Sequence, residues 1–202
     1  MNYHPWTDDR SNDSYALVSD VPKELKGKDH TLVKGISVRD WFPSDVVFDF
    51  ALHKGIKSTD SIPNNLGMHI ISEKLRHLLE ISSGARFEFL PVRLRDHKKK
   101  VLLDTYYLAN LLDVVPCVDR ARSDFSMNKL IRNEIRRFRK LVLDTNQLKL
   151  ETRIFRLGER PRLIIVREDL ARDIVAAGCT GMQFITMEDF GAEFRPQTNY
   201  DI

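Results

Sequence analysis

The stretch "YYLANLLDVVPCVD", residues 106–119, decides how the rest of the chain is read. It is the longest nearly uncharged passage, and three readings compete for it: a membrane anchor, a buried strand, or the bed of a catalytic thiol. A membrane helix needs about 20 consecutive apolar residues. Asp104 and Asp113 interrupt this run and Asp119 closes it, which removes the first reading. In an extended chain, Tyr107, Ala109, Leu111, Asp113 and Val115 share one face, with Tyr106, Leu108, Asn110, Leu112 and Val114 on the other. The paired tyrosines and valines, with Pro116 behind them, favour one central core strand, although "LANLL" also fits a helical turn.

The thiol reading is weaker than the strand reading. Cys117 and Cys179 are too few for a cysteine metal cluster and lack the spacing of a disulfide framework. Both lie among apolar or small residues, where a free thiol behaves as a small hydrophobe. A nucleophilic Cys117 needs a base or a helix N-terminus to stabilise its thiolate, and no histidine stands in a recognisable pattern with it. Cys117 therefore reads as core.

Composition agrees with a soluble globular protein: of 202 residues, 42% are apolar and 30% charged. This length affords a sizeable core. We expect residues 1–35 to form a partly irregular N-terminal segment and residues 36–202 a single domain. The opening "MNYHPWTDDRSNDSY" is polar and acidic, without the basic start and apolar centre of a signal peptide, so a cytoplasmic location is expected.

The net charge of +3 hides an uneven layout. Lys and Arg outnumber Asp and Glu by 11 to 4 over residues 126–166, whereas over 167–202 the balance is 3 to 7. The basic run "KLIRNEIRRFRK" (129–140) has Phe138 as its one aromatic and carries Glu134, which suits a solvated face better than a nucleic-acid groove. Charge blocks of this kind also suit a protein partner.

Periodicity supplies the elements. Val46 to Ala51 reads as a strand, and "KSTDSIPNNLG" (57–67) as a loop. Ser72 is a good N-cap for a helix whose Leu75, Leu78 and Leu79 form one stripe. A strand with Pro91 at an edge or bulge follows over 85–94. "RKLVLDTNQL" (139–148), "TRIFRL" (152–157) and "RLIIV" (162–166) read as further strands. Residues 164–187 repeat the earlier order of strand, helix, glycine turn and strand, with Leu170 and Ile174 in the places of Leu75 and Leu79 and Arg167 in that of Ser72. The expected class is α+β: a mixed, strand-rich sheet with a few short helices, including two similar strand–helix–strand units.

No catalytic constellation is present in the sequence: it has no G-x-S-x-G elbow, H-E-x-x-H, glycine-rich phosphate loop or C-x-x-C. We assign no catalytic or metal-binding residue, expect no cofactor, and do not read the chain as an enzyme. The segments "IISEKLRHLLE", "FEFLPVRL", "YYLANLLDVVPCVDRARSDF", "RKLVLD", "IFRL" and "IVREDLARDIVAAGCTGMQF" occur in an order that resembles the immunity proteins of bacterial polymorphic toxin systems. The resemblance is to the eleventh immunity family, of myxobacterial type, formerly a domain of unknown function. It spans roughly residues 36 to 187. Pro116 and Arg167 depart from the family pattern, which has a polar or acidic residue at the first and serine at the second.

The resemblance implies a cytoplasmic, cofactor-free protein that binds and neutralises a cognate toxin domain, in such systems often a nuclease. Neither membrane nor nucleic acid is then an expected partner. Two rivals are a nucleic-acid-binding module built on residues 129–140 and an enzyme with an unrecognised site around Cys117. Immunity proteins against nucleases commonly present carboxylates to a basic toxin surface. Here Glu188, Asp189 and Glu193 stand among Phe190 and Phe194, the charged and aromatic mixture of an interface hot spot, and these five residues are the expected toxin contact. The competing reading of Phe190 and Phe194 is that they close the core.

Overall fold

The computed structural model describes residues 1–191, and among them it contains 12 strands and two α-helices. The first half runs β1 (Tyr3–Asp8), β2 (Val47–Asp49), β3 (Ser61–Ile62), β4 (Ile70–Ser72), α1 (Glu73–Ser82), β5 (Phe87–Arg95) and β6 (Tyr106–Leu111). The second runs β7 (Val114–Val115), β8 (Asp124–Met127), β9 (Ile135–Lys140), β10 (Ile154–Leu157), β11 (Arg160–Arg167), α2 (Glu168–Ala176) and β12 (Met182–Phe184). One five-stranded sheet has the order β2-β5-β6-β4-β3 and the other β12-β1-β11-β10-β7, while β8 and β9 form a separate ribbon. The fold is α+β, as the periodicities predict.

Alternation along the strands sorts the core into layers. Leu90, Val92 and Leu94 of β5 pack outward with Phe48, Ile70 and the N-terminal Leu25, Leu32 and Val38. The inner face of the same sheet, Ile71, Ala109 and Leu111, meets Leu75 and Leu79 of α1 and Leu170 and Ile174 of α2. Ile154, Ile164 and Val166 of the second sheet close that middle cluster. The far face of the second sheet, Phe155, Leu157 and Ile165, packs on Cys117, Ile135 and Phe138. Both sheets are thus covered on both faces.

The stretch 106–119 turns out to join the two sheets. Through Leu111 its faces fall as the alternation predicts, with Tyr106 and Leu108 outward and Tyr107, Ala109 and Leu111 inward. The expectation of one continuous strand is corrected beyond that point. The Leu112 N–H donates to the Arg86 carbonyl (2.8 Å), and the Asp113 carboxylate accepts from the Arg86 N–H and guanidinium (2.8 and 2.7 Å). These bonds end β6. The chain then crosses over, and β7 pairs in parallel with β10.

Three other elements differ from the sequence reading. The strand expected over 139–148 starts earlier, at Ile135, and ends at Lys140. Leu141 and Leu143 then turn into the third cluster, and Asp144 caps a 3-10 turn over Thr145–Gln147 by accepting from the Asn146 N–H. Within the expected 57–67 loop, Ser61 and Ile62 form β3, stabilised by the buried Asn64, whose carboxamide bonds Ile62, Leu66 and Met68. β1 lies in a region rich in turn formers and contains Pro5. Proline is tolerated there because β1 changes partner beside it: Tyr3–Pro5 pair with β11 and Trp6–Asp8 with β12.

The two strand–helix–strand units are real and share a topology. In each, a helix links two strands that flank a third strand antiparallel to both: β6 lies between β4 and β5, and β1 between β11 and β12. Ser72 caps α1 by accepting from the Leu75 N–H (3.3 Å), whereas α2 has no side-chain cap at Arg167. The helices run past each other in opposite senses and are clasped at both ends. Lys74 reaches the Gly178 carbonyl, and Arg153 bridges the Ser82 carbonyl to Asp169 and Asp173. The halves also meet at Gly181 (φ +90°), where a Cβ would collide with the Ser61 carbonyl oxygen.

Two buried polar groups fix the N-terminal segment. Arg156 is 1% exposed and donates to the main-chain carbonyls of Leu111, Pro161 and Leu32, with a longer contact to that of Val33. Glu88 accepts from the Ser37 hydroxyl (2.5 Å), the Val38 N–H (3.0 Å) and the Asn110 carboxamide (3.0 Å).

Candidate interaction surface

The two charged segments singled out in the sequence pack against each other. β9, "IRRFRK", buries Ile135 and Phe138 and exposes the other four side chains. That phase is not the two-residue period of a flat strand. The register with β8 shifts twice, so that Arg139 and Arg136 are each an extra residue on β9, and these bulges turn the arginines outward. Arg139 forms a two-pronged ion pair with Asp124 (2.8 and 2.5 Å), which holds the Asp124 carboxyl below the usual carboxylate range. The Arg120 guanidinium lies over the Phe125 ring, 5.8 Å from its centroid.

The expected contact residues Glu188, Asp189 and Phe190 lie on a turn that follows β12. Glu188 and Asp189 are exposed. The Thr186 hydroxyl donates to Asp189 Oδ2 (2.5 Å) and accepts from the Asp189 N–H (3.1 Å), which closes the turn. Phe190 is half-buried against Phe138, with ring centroids 6.2 Å apart, and belongs to the third core cluster. Gly191 (φ +105°) lies so close to β9 that a Cβ would stand 2.6 Å from the Phe138 carbonyl oxygen. Phe138 is therefore the pivot that joins ribbon and turn. Glu193 and Phe194 lie outside the described residues.

The far end of the ribbon has a different character. Asn128 Oδ1 accepts from the Leu130 and Ile131 N–H groups (2.9 and 3.2 Å), and the Asn128 N–H donates to the Glu134 carbonyl (2.8 Å). Asn133 takes the left-handed conformation (φ +65°) that reverses the chain. The tip built in this way presents Leu130, which is 95% exposed, together with the exposed Met127 and Ile131. A groove of about 280 Å³ runs from Ile131 along Val33, Lys34, Pro161 and Arg162. None of this was legible in "KLIRNEIRRFRK", because only the bulges and the Asn128 turn decide which residues point out.

A second depression, of about 400 Å³, lies between Asp20, Lys23 and Arg95, but its charges largely satisfy each other, Arg95 gripping Asp49 at 2.6 and 2.7 Å. Burial pushes the Cys117 thiol up to about 12, with the Glu159 and Asp144 charges adding to the effect, and burial likewise pushes Cys179 to about 11. Neither thiol ionises near neutral pH. His69, packed edge-on against Trp6, is pushed down to about 3 by burial and then by the Arg156 charge, so it is neutral at physiological pH. Among the described residues no group of three or more His, Cys, Asp or Glu side chains is placed to hold a metal ion. No helix there is long and apolar enough to cross a membrane.

A comparison with curated proteins finds no match. Among protein families, the immunity protein family (Imm11) matches residues 7–189, which takes in both sheets apart from the first four residues of β1, the ribbon and the turn up to Asp189.

Proposed function

The chain belongs to the Imm11 immunity protein family, and from that premise we propose that it neutralises one cognate toxin domain by binding it directly. In this reading it acts in the cytoplasm, stoichiometrically, without cofactor or catalysis. The observation that carries the reading is the family match over nearly all of the described chain. The protonated, buried state of Cys117 supports a binding role over thiol chemistry, since the thiolate is the nucleophile.

We assign the first contact to the turn on the ribbon. Phe190 holds the turn to Phe138, and Glu188 and Asp189 face solvent from it, with Glu193 and Phe194 continuing the segment in sequence. Carboxylates in this place suit a basic toxin surface such as that of a nuclease. The test is co-expression with the toxin encoded beside the gene, followed by growth and pull-down assays. Wild type should restore growth and co-purify with the toxin. Reversing Glu188, Asp189 and Glu193 to lysine should slow association and weaken its salt dependence, with a small fall in Tm from loss of the exposed Thr186–Asp189 bond. Growth arrest despite ample soluble wild-type protein would refute the immunity reading, and unaltered binding by the triple variant would remove the turn from the interface.

A further inference from the structure

We propose that the tip of the β8–β9 ribbon is a docking finger for the toxin, seating in an apolar pocket rimmed by carboxylates on the partner. The inference rests on the immunity reading and extends its interface from the acidic turn to the opposite end of β9.

Three observations carry it. Leu130 is 95% exposed and stands in sequence between Met127 at the end of β8 and Ile131, 40% and 45% exposed, which places three large apolar side chains at one end of the ribbon. Apolar groups gathered at one exposed tip mark an interaction site more than scattered single ones do. The turn is also pre-built: the Asn128 carboxamide holds the N–H groups of Leu130 and Ile131 before any partner arrives. Little ordering entropy is then lost on docking. Finally, the surround is cationic and unspent. Lys129, Arg132 and Arg136 are exposed and have no ion pair among the described residues, in contrast to Arg139, which Asp124 occupies. Lys34 and Arg162 extend the positive charge along the adjoining groove, whose lining also includes the Glu134 carboxylate.

The partner chemistry follows from that composition. An apolar centre demands an apolar pocket, and the uncompensated cations demand carboxylates around it. Nucleic acid fits less well. Leu130 offers no stacking face, and Phe125 is already covered by Arg120. The complete interface is then bipolar: acidic at the turn held by Phe190, basic and apolar at the tip. Such a layout fixes the orientation of a partner with the opposite pattern.

The experiment measures association and dissociation rates of the full chain with the toxin domain encoded beside it. Wild type is compared with Leu130→Asp, Arg132→Glu/Arg136→Glu and the control Leu103→Asp, which alters an equally exposed leucine in the loop before β6. Circular dichroism and Tm verify that each variant is folded. Leu130→Asp should raise Kd by about tenfold or more through faster dissociation. The double arginine reversal should slow association by about tenfold at low salt, a difference that shrinks as salt is added. Leu103→Asp should match wild type. If wild type binds and both ribbon variants bind equally well, the docking finger is refuted while the immunity reading stands. If wild type forms no complex, both fall. If the arginine reversal abolishes binding to a duplex oligonucleotide but leaves toxin binding intact, the ribbon is a nucleic-acid element and the proposal is overturned.

Discussion

Arg156 shows how far a single residue can depart from its sequence context. Counted along the chain, it is one of 11 cations in the basic block. In the fold it is a buried guanidinium whose hydrogen bonds go to main-chain carbonyls at the end of β6, the start of β11 and the N-terminal segment. Burial lowers its pKa to about 10, so it stays charged at neutral pH. Arg156→Met should lower unfolding stability by about 3–5 kcal/mol, because those buried carbonyls lose a charged donor. Arg156→Lys should rescue little, since one ammonium cannot reproduce the planar fork. Urea unfolding checks both. Glu88 makes the complementary pH prediction. Burial opposes its ionisation, but donors from Ser37, Val38 and Asn110, together with the Arg39 charge, hold its pKa below the ordinary 4.5. The folded state therefore gives up this proton more readily than the unfolded chain. The resulting stability is fully present above about pH 4.5 and is lost as pH falls through the folded value. Glu88→Gln should flatten the stability–pH curve in that acidic window.

At the scale of elements, the repeated strand–helix–strand order was readable because it rests on local signals. A serine cap, leucines three and four residues apart and a glycine turn require no tertiary partner to be recognised. The two copies differ in how the helix starts. Ser72 both caps α1 and donates to Asp60 (2.7 Å), whereas Arg167 gives α2 no cap and grips Asp169 and the Leu150 carbonyl instead. Ser72→Ala should therefore cost about 0.5–2 kcal/mol, read as a lowered urea midpoint with an unchanged slope. The elements that escaped the sequence reading are those whose limits lie outside themselves. β6 ends where Arg86 binds the Leu112 N–H and the Asp113 carboxylate, β1 survives Pro5 because two different strands share it, and β9 is out of phase because of its bulges.

For the whole molecule, the middle cluster has the largest consequence. It draws residues from both sheets and both helices, so neither sheet is covered without the other. One cooperative unfolding transition is expected. The two tryptophans allow a direct test, since Trp6 belongs to the middle cluster and Trp41 packs on the outer one. Trp6→Phe and Trp41→Phe variants, each followed both by its remaining tryptophan and by far-UV circular dichroism, should give the same midpoint and slope by the two probes. A biphasic curve from either would mean that the layers unfold separately.

By itself the sequence determined the α+β class, the paired units, the inward and outward faces of residues 106–111, and the ordered segments that resemble the family the chain belongs to. All of these follow from side-chain periodicity and local capping, which are properties of neighbouring residues. Only the tertiary structure decided that 106–119 passes from one sheet to the other, that Arg156 is buried, and that the acidic turn and the basic ribbon share Phe138. Those outcomes depend on contacts between residues far apart in the chain, where a carbonyl, a bulge or an aromatic face supplied by one segment sets the direction of another.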